Sequence, residues 1–385
     1  MNESLMEFLR CPACFRELTL AVYEAGETDR SISAGLLQCS CGKSFPVWRG
    51  VPRMLLDVAR LFSGEFVAKF SERLRRDAPQ ALDEVSSAKH TSHNYSFDVE
   101  WSMYRFGELT WELDLATRVR HVYDYLRMSP GSLGQATVLD AGCGNGTLAA
   151  GLAASGPRVI ALDYSECIAR AETEKARFAG RAAERLDYVQ ADLQRPPFAA
   201  KTFDVICSDG VLHHTPDTYE SFRSVAPLVK DHGRMFVWLY RADLSPVYKL
   251  KSVAIKAIRG SLRPLPATVL RKLCYAGAVA LQTRLRLLSL VGIRKRRIVP
   301  IWLKAVNLFD TFAPLYNHQH IPSEVMSWFR EAGFSQAVET TIPSLGHMGF
   351  GILGARSPVE LHSSSEAARL FGKLELDRRR QPLAS

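Results

Sequence analysis

The chain has 385 residues, 47% of them apolar and 23% charged, and carries a formal charge of +9. These are ordinary globular proportions that exclude a wholly disordered chain or a polytopic membrane protein, and the length exceeds one small domain, since domains most often run to about 100–150 residues. The eight cysteines form no disulfide framework, because four cluster near the N-terminus and four (Cys143, Cys167, Cys207, Cys274) are scattered in apolar or motif contexts and read as buried thiols.

Residues 1–10 hold Glu3 and Glu7 and only short apolar runs, without the basic-then-apolar layout of a secretory signal, so the chain reads as cytoplasmic. Residues 1–57 form a predicted compact unit containing CPAC at 11–14 and CSCG at 39–42, whose Gly and Pro content predicts tight turns rather than long elements. Cys11, Cys14, Cys39 and Cys41 offer four soft ligands in two close pairs, and so small a unit gains much from a structural zinc. The second pair is C-x-C instead of C-x-x-C, which tightens the geometry; a reduced, metal-free cluster is the alternative.

Residues 58–127 read as a mostly helical linker, and the segment 90–107 stands out for its aromatic density. Tyr95, Phe97, Trp101 and Tyr104 there suit a lid over the domain C-terminal to them, or else the packed face of an amphipathic helix. A domain over residues 128–356 then alternates short apolar runs with helical stretches, the pattern of repeated βα units around a parallel sheet. Strands are predicted at 137–140, 158–163, 186–191, 203–208, 233–240, 336–341 and 349–355, with a helix at 322–332. The tail, 357–385, is polar and loosely held.

Between residues 244 and 309 a basic insertion interrupts the alternation. It contains no Asp or Glu and fourteen Lys or Arg, so the rest of the chain is net acidic. Its apolar runs at 253–258, 273–281 and 285–293 suit a helical segment lying on an anionic membrane surface, peripherally at the inner membrane, or binding a lipid-linked or phosphorylated acceptor. Nucleic acid fits less well, because the apolar content exceeds what phosphate contacts need. An ordinary helical lid with a solvated basic face is the remaining reading, and Lys and Arg interrupt every stretch that could span a bilayer.

Residues 138–147, VLDAGCGNGT, place Gly142, Gly144 and Gly146 between an apolar strand and an alanine-rich helix, where missing Cβ atoms let the backbone turn sharply and approach a ligand. The spacing is G-x-G-x-G, not the G-x-G-x-x-G of dinucleotide enzymes, and Asp140 at the strand end would repel a pyrophosphate but hold a cationic amino-acid-bearing ligand. Asp163 ends the second strand and can accept both ribose hydroxyl protons; Asp192 follows the third and can accept from an adenine amino group, with Leu193 beside the ring. After the fourth strand, Ser208 and the run SDGVLHH occupy the mouth of the sheet. His213 and His214 are candidate bases because an unperturbed imidazole titrates near neutrality, though either can equally just pack; Asp209 can serve as a helix cap. Further on, residues 309–320 are rich in groups able to line a substrate pocket, and His318 and His320 lack partners at metal-ligand spacing.

VLDAGCGNGTL, VIALD, VQADL and FDVICSDGVLHHTPD together resemble the successive motifs of class I S-adenosylmethionine-dependent methyltransferases over about residues 94–355. The resemblance implies an α/β Rossmann-like seven-stranded sheet with its last strand antiparallel, the glycine loop cradling methionine, Asp163 on ribose and Asp192 near adenine. The GVLHHTPD version implies quinone, lipid or secondary metabolism, hence a small-molecule or lipid-like acceptor methylated on oxygen, carbon or nitrogen. CPACFREL and CSCGKSFPVWRGVPRML resemble the zinc-ribbon protein that activates RNA and release-factor methyltransferases by covering an apolar surface, over about residues 8–56. That likeness raises RNA or protein methylation as the rival, against which SDGV stands where amide methylation would need N-P-P-Y or D-P-P-Y. A non-catalytic cofactor-binding scaffold is the alternative outside enzymes.

Overall fold

The structure, a computed structural model, describes residues 1–28, 30–57, 61–87, 96–104, 108–244, 246–262, 264–290, 299–340 and 348–358. The N-terminal unit has longer elements than its turn residues suggest. Leu18–Ala25 (β1) and Ile32–Cys39 (β2) pair along their eight-residue lengths, and Ser44–Trp48 (β3) and Val51–Pro52 (β4) extend the antiparallel sheet in the order β1-β2-β3-β4. Gly and Pro mark its joints, while Ala34, Leu36 and Leu37 of β2 are wholly buried.

The linker is helical as expected: Gly64–Asp77 (α1), Pro79–Ser87 (α2), Ser96–Met103 (α3) and Leu115–Leu126 (α4). Ser63 caps α1 by accepting from the Phe66 amide at 3.2 Å, which satisfies one amide that the first turn cannot. Phe66, Phe70 and Leu74, four residues apart, form the buried stripe of α1. The Phe66 ring centroid lies 6.2 Å from Tyr23 and 5.6 Å from Trp48, so α1 packs on the N-terminal sheet.

Thr137–Ala141 (β5), Thr147–Ala154 (α5), Arg158–Asp163 (β6), Ile168–Ala179 (α6), Leu186–Gln190 (β7), Phe203–Asp209 (β8), Thr218–Val225 (α7) and Val229–Tyr240 (β9) come next in the predicted alternation. The basic insertion is helical, with Pro246–Leu262 (α8), Ala267–Leu290 (α9) and Ile301–Phe312 (α10), and after it stand Pro322–Glu331 (α11), Gln336–Glu339 (β10) and Gly349–Ala355 (β11). Arg294 to Arg297, Tyr95, residue 341 and the tail beyond 358 lie outside the described residues. β9 starts four residues before its predicted position because Lys230, Asp231 and His232 form a polar outer stretch that hides the strand signal.

The large sheet is seven-stranded, in the order β10-β11-β9-β8-β5-β6-β7. Strands β7, β6, β5, β8 and β9 are parallel, and the last strand, β11, runs antiparallel between β9 and β10. This is the Rossmann-like arrangement expected from the sequence. The chain reverses its direction of addition between β7 and β8, so a crevice opens at the carboxyl ends of β5 and β8, where open α/β sheets hold ligands.

The N-terminal unit is joined to the far edge of this sheet. Leu9 bridges Phe198, Arg53 pairs with Gln190, and the Met54 amide donates to the Gln190 carbonyl at 2.7 Å. Asp187, fully buried on β7, accepts from the Asn2 amide at 2.7 Å and from Arg158 at 3.2 Å. The two units share a continuous apolar core in which Leu9, Phe45 and Phe66 join Ile160, Val189 and Phe198. Phe66→Ala is therefore expected to cost about 3–5 kcal/mol of stability, the usual penalty for truncating a buried aromatic, measured from the chemical denaturation midpoint.

Candidate active site

Each acidic side chain singled out in the sequence stands at the carboxyl end of a parallel strand. β5 delivers Asp140, and the chain then turns through Gly142, Gly144 and Gly146 with φ of 95°, 56° and 74°. The Gly142 and Cys143 amides both donate to the Leu162 carbonyl, at 2.8 and 2.9 Å, folding the loop over β6. A Cβ on Gly144 would stand 2.3 Å from the Trp101 ring, so only glycine permits both the backbone conformation and the indole above it.

Asp163 ends β6 and holds that loop. Its Oδ2 accepts from the Gly144 amide at 2.7 Å, and its Oδ1 accepts from the Ser165 amide at 2.8 Å and the Ser165 hydroxyl at 2.6 Å. Burial raises its pKa nonetheless, the hydrogen bonds opposing that shift. Asp192, beyond β7, accepts from the Gln194 amide at 2.8 Å, and Leu193 beside it is buried. The Ser208 hydroxyl donates to the Ala141 carbonyl at 3.0 Å, so it ties β8 to β5.

Asp140 is buried with Oδ2 unpartnered, and burial pushes its pKa up to about 7 against the pull of Arg118. Asp209, ending β8, is pushed up to about 6 by burial, again opposed by Arg118. The sequence reading missed Arg118. It lies on α4, 8% exposed, donates to the Thr147 hydroxyl at 3.3 Å and sits 5.1 Å over the Trp111 ring. Its one local signal is periodic: Arg118, Val122, Tyr125 and Leu126 share the buried face of α4, so a cation stands on an apolar stripe.

His213 and His214 sit on a short 3-10 turn after β8 and differ sharply in environment. His213 is fully buried, 4.0 Å from the Tyr240 ring, with neither ring nitrogen partnered. His214 places Nδ1 2.9 Å from the Tyr316 carbonyl. A carbonyl only accepts, so that contact assigns the proton to Nδ1 and leaves the Nε2 lone pair available. Burial lowers the His214 pKa to about 4, leaving the ring neutral at ordinary pH. His318 donates its amide to the His213 carbonyl at 2.9 Å, which fixes the late polar segment against this turn. His320 does have an acidic neighbour, contrary to its sequence reading: Glu324, on the first turn of α11, lies 3.2 Å from Nδ1.

α3 spans the crevice. Phe97 lies 5.2 Å from His214 between ring centroids, Asp98 accepts from the Glu166 amide at 2.7 Å, and Trp101 covers Gly144. Glu100, on the same helix, is buried with Oε2 unpartnered, and burial together with the charge of Asp310 on α10 holds its pKa well above the carboxylate range. Tyr240 and Asp310 interact beside it, with the Arg259 guanidinium of α8 close by. The helices of the insertion thus pack against α3, which in turn covers Gly144.

In the N-terminal unit the ligand atoms of Cys11, Cys14, Cys39 and Cys41 all lie within 4.8 Å of one another, with Cys11–Cys41 at 3.7 Å and Cys14–Cys39 at 3.4 Å. Zinc–thiolate bonds of about 2.3 Å in a tetrahedron put sulfurs about 3.8 Å apart, so this donor set fits zinc despite the short C-x-C spacing. Turns shape it: Gly42, at φ 88°, donates its amide to the Cys39 carbonyl at 2.9 Å. From the same unit Arg53 reaches Glu166 at 2.6 Å and the Gln190 side-chain carbonyl at 2.5 Å, and Gln190 donates to the Tyr164 carbonyl at 3.1 Å. The loop carrying Asp163 is therefore braced from the cysteine-bearing unit.

Residues 139–237 match the family described as “Methyltransferase domain”. A ubiquinone biosynthesis O-methyltransferase of Vibrio campbellii is 34% identical over 134 residues, covering 33% of this chain and 55% of that one. An uncharacterised methyltransferase of Mycobacterium tuberculosis is 35% identical over 116 residues, 30% of this chain and 56% of its own. The chain spans about half the length of the curated relatives it matches. Among solved structures, magnesium protoporphyrin IX methyltransferase of Synechocystis with bound SAH aligns with a TM-score of 0.41 and 17% identity, over 69% of this chain and 96% of that one. The 1,6-didemethyltoxoflavin-N1-methyltransferase of Burkholderia thailandensis, with bound 1,6-didemethyltoxoflavin and S-adenosylhomocysteine, aligns with a TM-score of 0.39 and 17% identity over 71% of this chain and 93% of that one.

The raised pKa of Asp140 has a signed consequence for stability. With a folded pKa of about 7 the native state binds the extra proton, so this group's contribution falls as pH rises from the unfolded carboxylate range through 7. Asp140→Asn is expected to raise the melting temperature of the ligand-free protein by a few degrees at pH 8 and to leave it unchanged near pH 4, read by differential scanning fluorimetry.

Proposed function

We propose that the chain is an S-adenosylmethionine-dependent methyltransferase acting on a small-molecule or lipid-like acceptor. The observation that supports this reading is the placement of Asp140, Asp163 and Asp192 at the carboxyl-end side of adjacent parallel strands beside the three-glycine loop, with Oδ2 of the buried Asp140 unpartnered. That oxygen suits the ammonium of a methionyl group, Asp163 the ribose side, and Asp192 with Leu193 the adenine side. Arg118, between Asp140 and Asp209, suits a carboxylate. Bound there, the cofactor supplies a methyl group already activated on sulfonium, so alignment provides much of the rate and a base is needed only where the acceptor loses a proton.

In this reading α3 excludes water from above the glycine loop, and His214 Nε2 takes the acceptor's proton. His213, sealed under Tyr240, orients the turn. The relatives named for ubiquinone biosynthesis and O-methylation favour an acceptor hydroxyl on a small molecule. A lipid-linked acceptor is supported by the acid-free helical insertion beside Asp310. The four-cysteine unit takes a structural zinc and braces the Asp163 loop through Arg53, and unpaired thiols of this kind suit a reducing, cytoplasmic compartment. Its likeness to an activator of RNA and protein methyltransferases keeps macromolecular methylation as the second reading.

Titration calorimetry with S-adenosylmethionine is expected to show one site that Asp163→Ala weakens at least about tenfold, as loss of a buried charge-assisted hydrogen-bond centre should. Methyl transfer from labelled cofactor to extracts split into lipid, small-molecule and RNA fractions should label the first two. Label confined to RNA overturns the acceptor assignment, and binding without any transfer leaves a scaffold. His214→Ala should lower kcat about 10²–10⁴-fold with cofactor affinity kept, while wild-type kcat at saturating cofactor, where Asp140 is already paired, stays level from pH 8 down to 6, because burial holds the His214 pKa down to about 4. Elemental analysis should find one zinc per chain, and its removal by chelation should lower the melting temperature; metal-free protein of unchanged stability counts against a structural zinc.

A further inference from the structure

α9 is apolar on two opposite sides. One side is accounted for: Leu270, Cys274, Ala278 and Gln282 are buried at four-residue steps, packed with Trp302, Leu303 and Val306 of α10. At 100° per residue, Val269, Leu273, Ala276, Ala280, Leu287 and Leu290 fall on the opposite side, centred half a turn away. Leu273 is 48% exposed, Leu287 59% and Leu290 82%. A helix of 24 residues is about 36 Å long at 1.5 Å per residue, so the stripe is extended rather than a single exposed leucine. Arg284 and Arg286 flank it, Lys272 stands on its margin beside Leu290, and Thr283 is the one uncharged polar residue within it.

The outer side of α8 repeats the pattern. Val247, Leu250 and Val253 are 77%, 74% and 63% exposed, whereas Ser252, Ile255, Arg259 and Leu262 turn inward. Both helices pack on α10, and apolar faces of this extent are rarely left to water.

We propose that the outer faces of α8 and α9 dock on the surface of an anionic lipid bilayer, with the apolar stripes at the acyl–headgroup boundary and the flanking cations among the phosphates. Charge decides the occupant. Residues 244–309 contain no acid, so a second copy seated on the same faces would set Lys272, Arg284 and Arg286 against their own counterparts without a compensating carboxylate from that segment. A nucleic acid would meet the cations but leave the leucines in water. An anionic bilayer satisfies both, because basic side chains each gain attraction near such a surface while apolar ones enter its boundary. Among the described residues no helix is long and apolar enough to cross a membrane, so the helices lie on the surface. The inference goes beyond the methyl-transfer reading and does not depend on cofactor binding.

Sedimentation of the full chain with vesicles of phosphatidylcholine alone, and of phosphatidylcholine with phosphatidylglycerol in equal parts, tests it. The protein should pellet with the mixed vesicles and not with the neutral ones, and salt at about 0.5 M should release most of it, since the Debye length then falls to a few ångströms. The double variant Leu273→Glu/Leu287→Glu should lose at least about tenfold of the pelleted fraction while its melting temperature and S-adenosylmethionine titration match wild type. Should that variant melt early, Lys272→Gln/Arg284→Gln/Arg286→Gln, all at exposed positions, replaces it in the same assay with the same expected loss. Protein that stays in the supernatant with both vesicles overturns the proposal, as does pelleting that neither variant reduces. A wild-type dimer in light scattering that the variants convert to monomer, without vesicle binding, assigns the faces to a second copy and overturns it too.

Discussion

The buried carboxylate of Asp163 organises the ligand end of this molecule. It accepts from the Gly144 amide on one oxygen and from the Ser165 amide and hydroxyl on the other, so β6, the glycine loop and the start of the loop after β6 are held to a single centre. A charge taken out of water is tolerated only when so surrounded by donors, and those donors thereby lose their own freedom to move. With the loop held, Gly144 lies flat beneath Trp101, and the position of α3 follows from that contact.

The same centre is supported from the opposite direction. Arg53 is buried at the junction of the N-terminal sheet with β7, and its guanidinium meets Glu166 and Gln190 immediately behind the Asp163 loop. Arg53 is buried but Glu166 is half exposed, so the pair is poor evidence of net stabilisation, desolvation of the guanidinium offsetting much of the attraction. Its effect is on geometry: the cysteine-bearing unit, the loop after Asp163 and the edge of the large sheet are constrained to one relative position. The continuous apolar core beneath them, running from Leu9 and Phe66 to Val189 and Phe198, supplies the stabilisation that the polar contacts do not.

Beyond α3 the helices of the insertion place further titratable groups near Glu100. Glu100 of α3 and Asp310 of α10 face one another in a buried setting that disfavours two negative charges at once, and Tyr240 and Arg259 stand beside Asp310. α3 therefore packs over the glycine loop through Trp101, while the adjacent Glu100 lies close enough to Asp310, at the end of α10, to feel its charge.

Much of this was legible in the residues alone because the relevant signals are local. An apolar strand ending in Asp140 and followed at once by G-x-G-x-G needs nothing distant to announce itself, and the acidic ends at Asp163 and Asp192 recur with the period of βα units. The cysteine pairs were likewise visible, and the tertiary structure brought their sulfurs together. Residues whose meaning lies in a distant partner were not legible. Arg53 looks like any surface cation until Glu166 is placed beside it, Arg118 shows only that a cation stands on an apolar stripe and not that Asp140 and Asp209 lie near it, and Glu100 and Asp310 are about two hundred residues apart in the chain. His213 and His214 are adjacent and chemically identical in sequence. Only the fold separates them, by burying the first beneath Tyr240 and bringing the Tyr316 carbonyl, 102 residues later, against one nitrogen of the second. Backbone periodicity is written in neighbouring residues, whereas protonation and tautomer depend on dielectric surroundings and partners that exist only once the chain has folded.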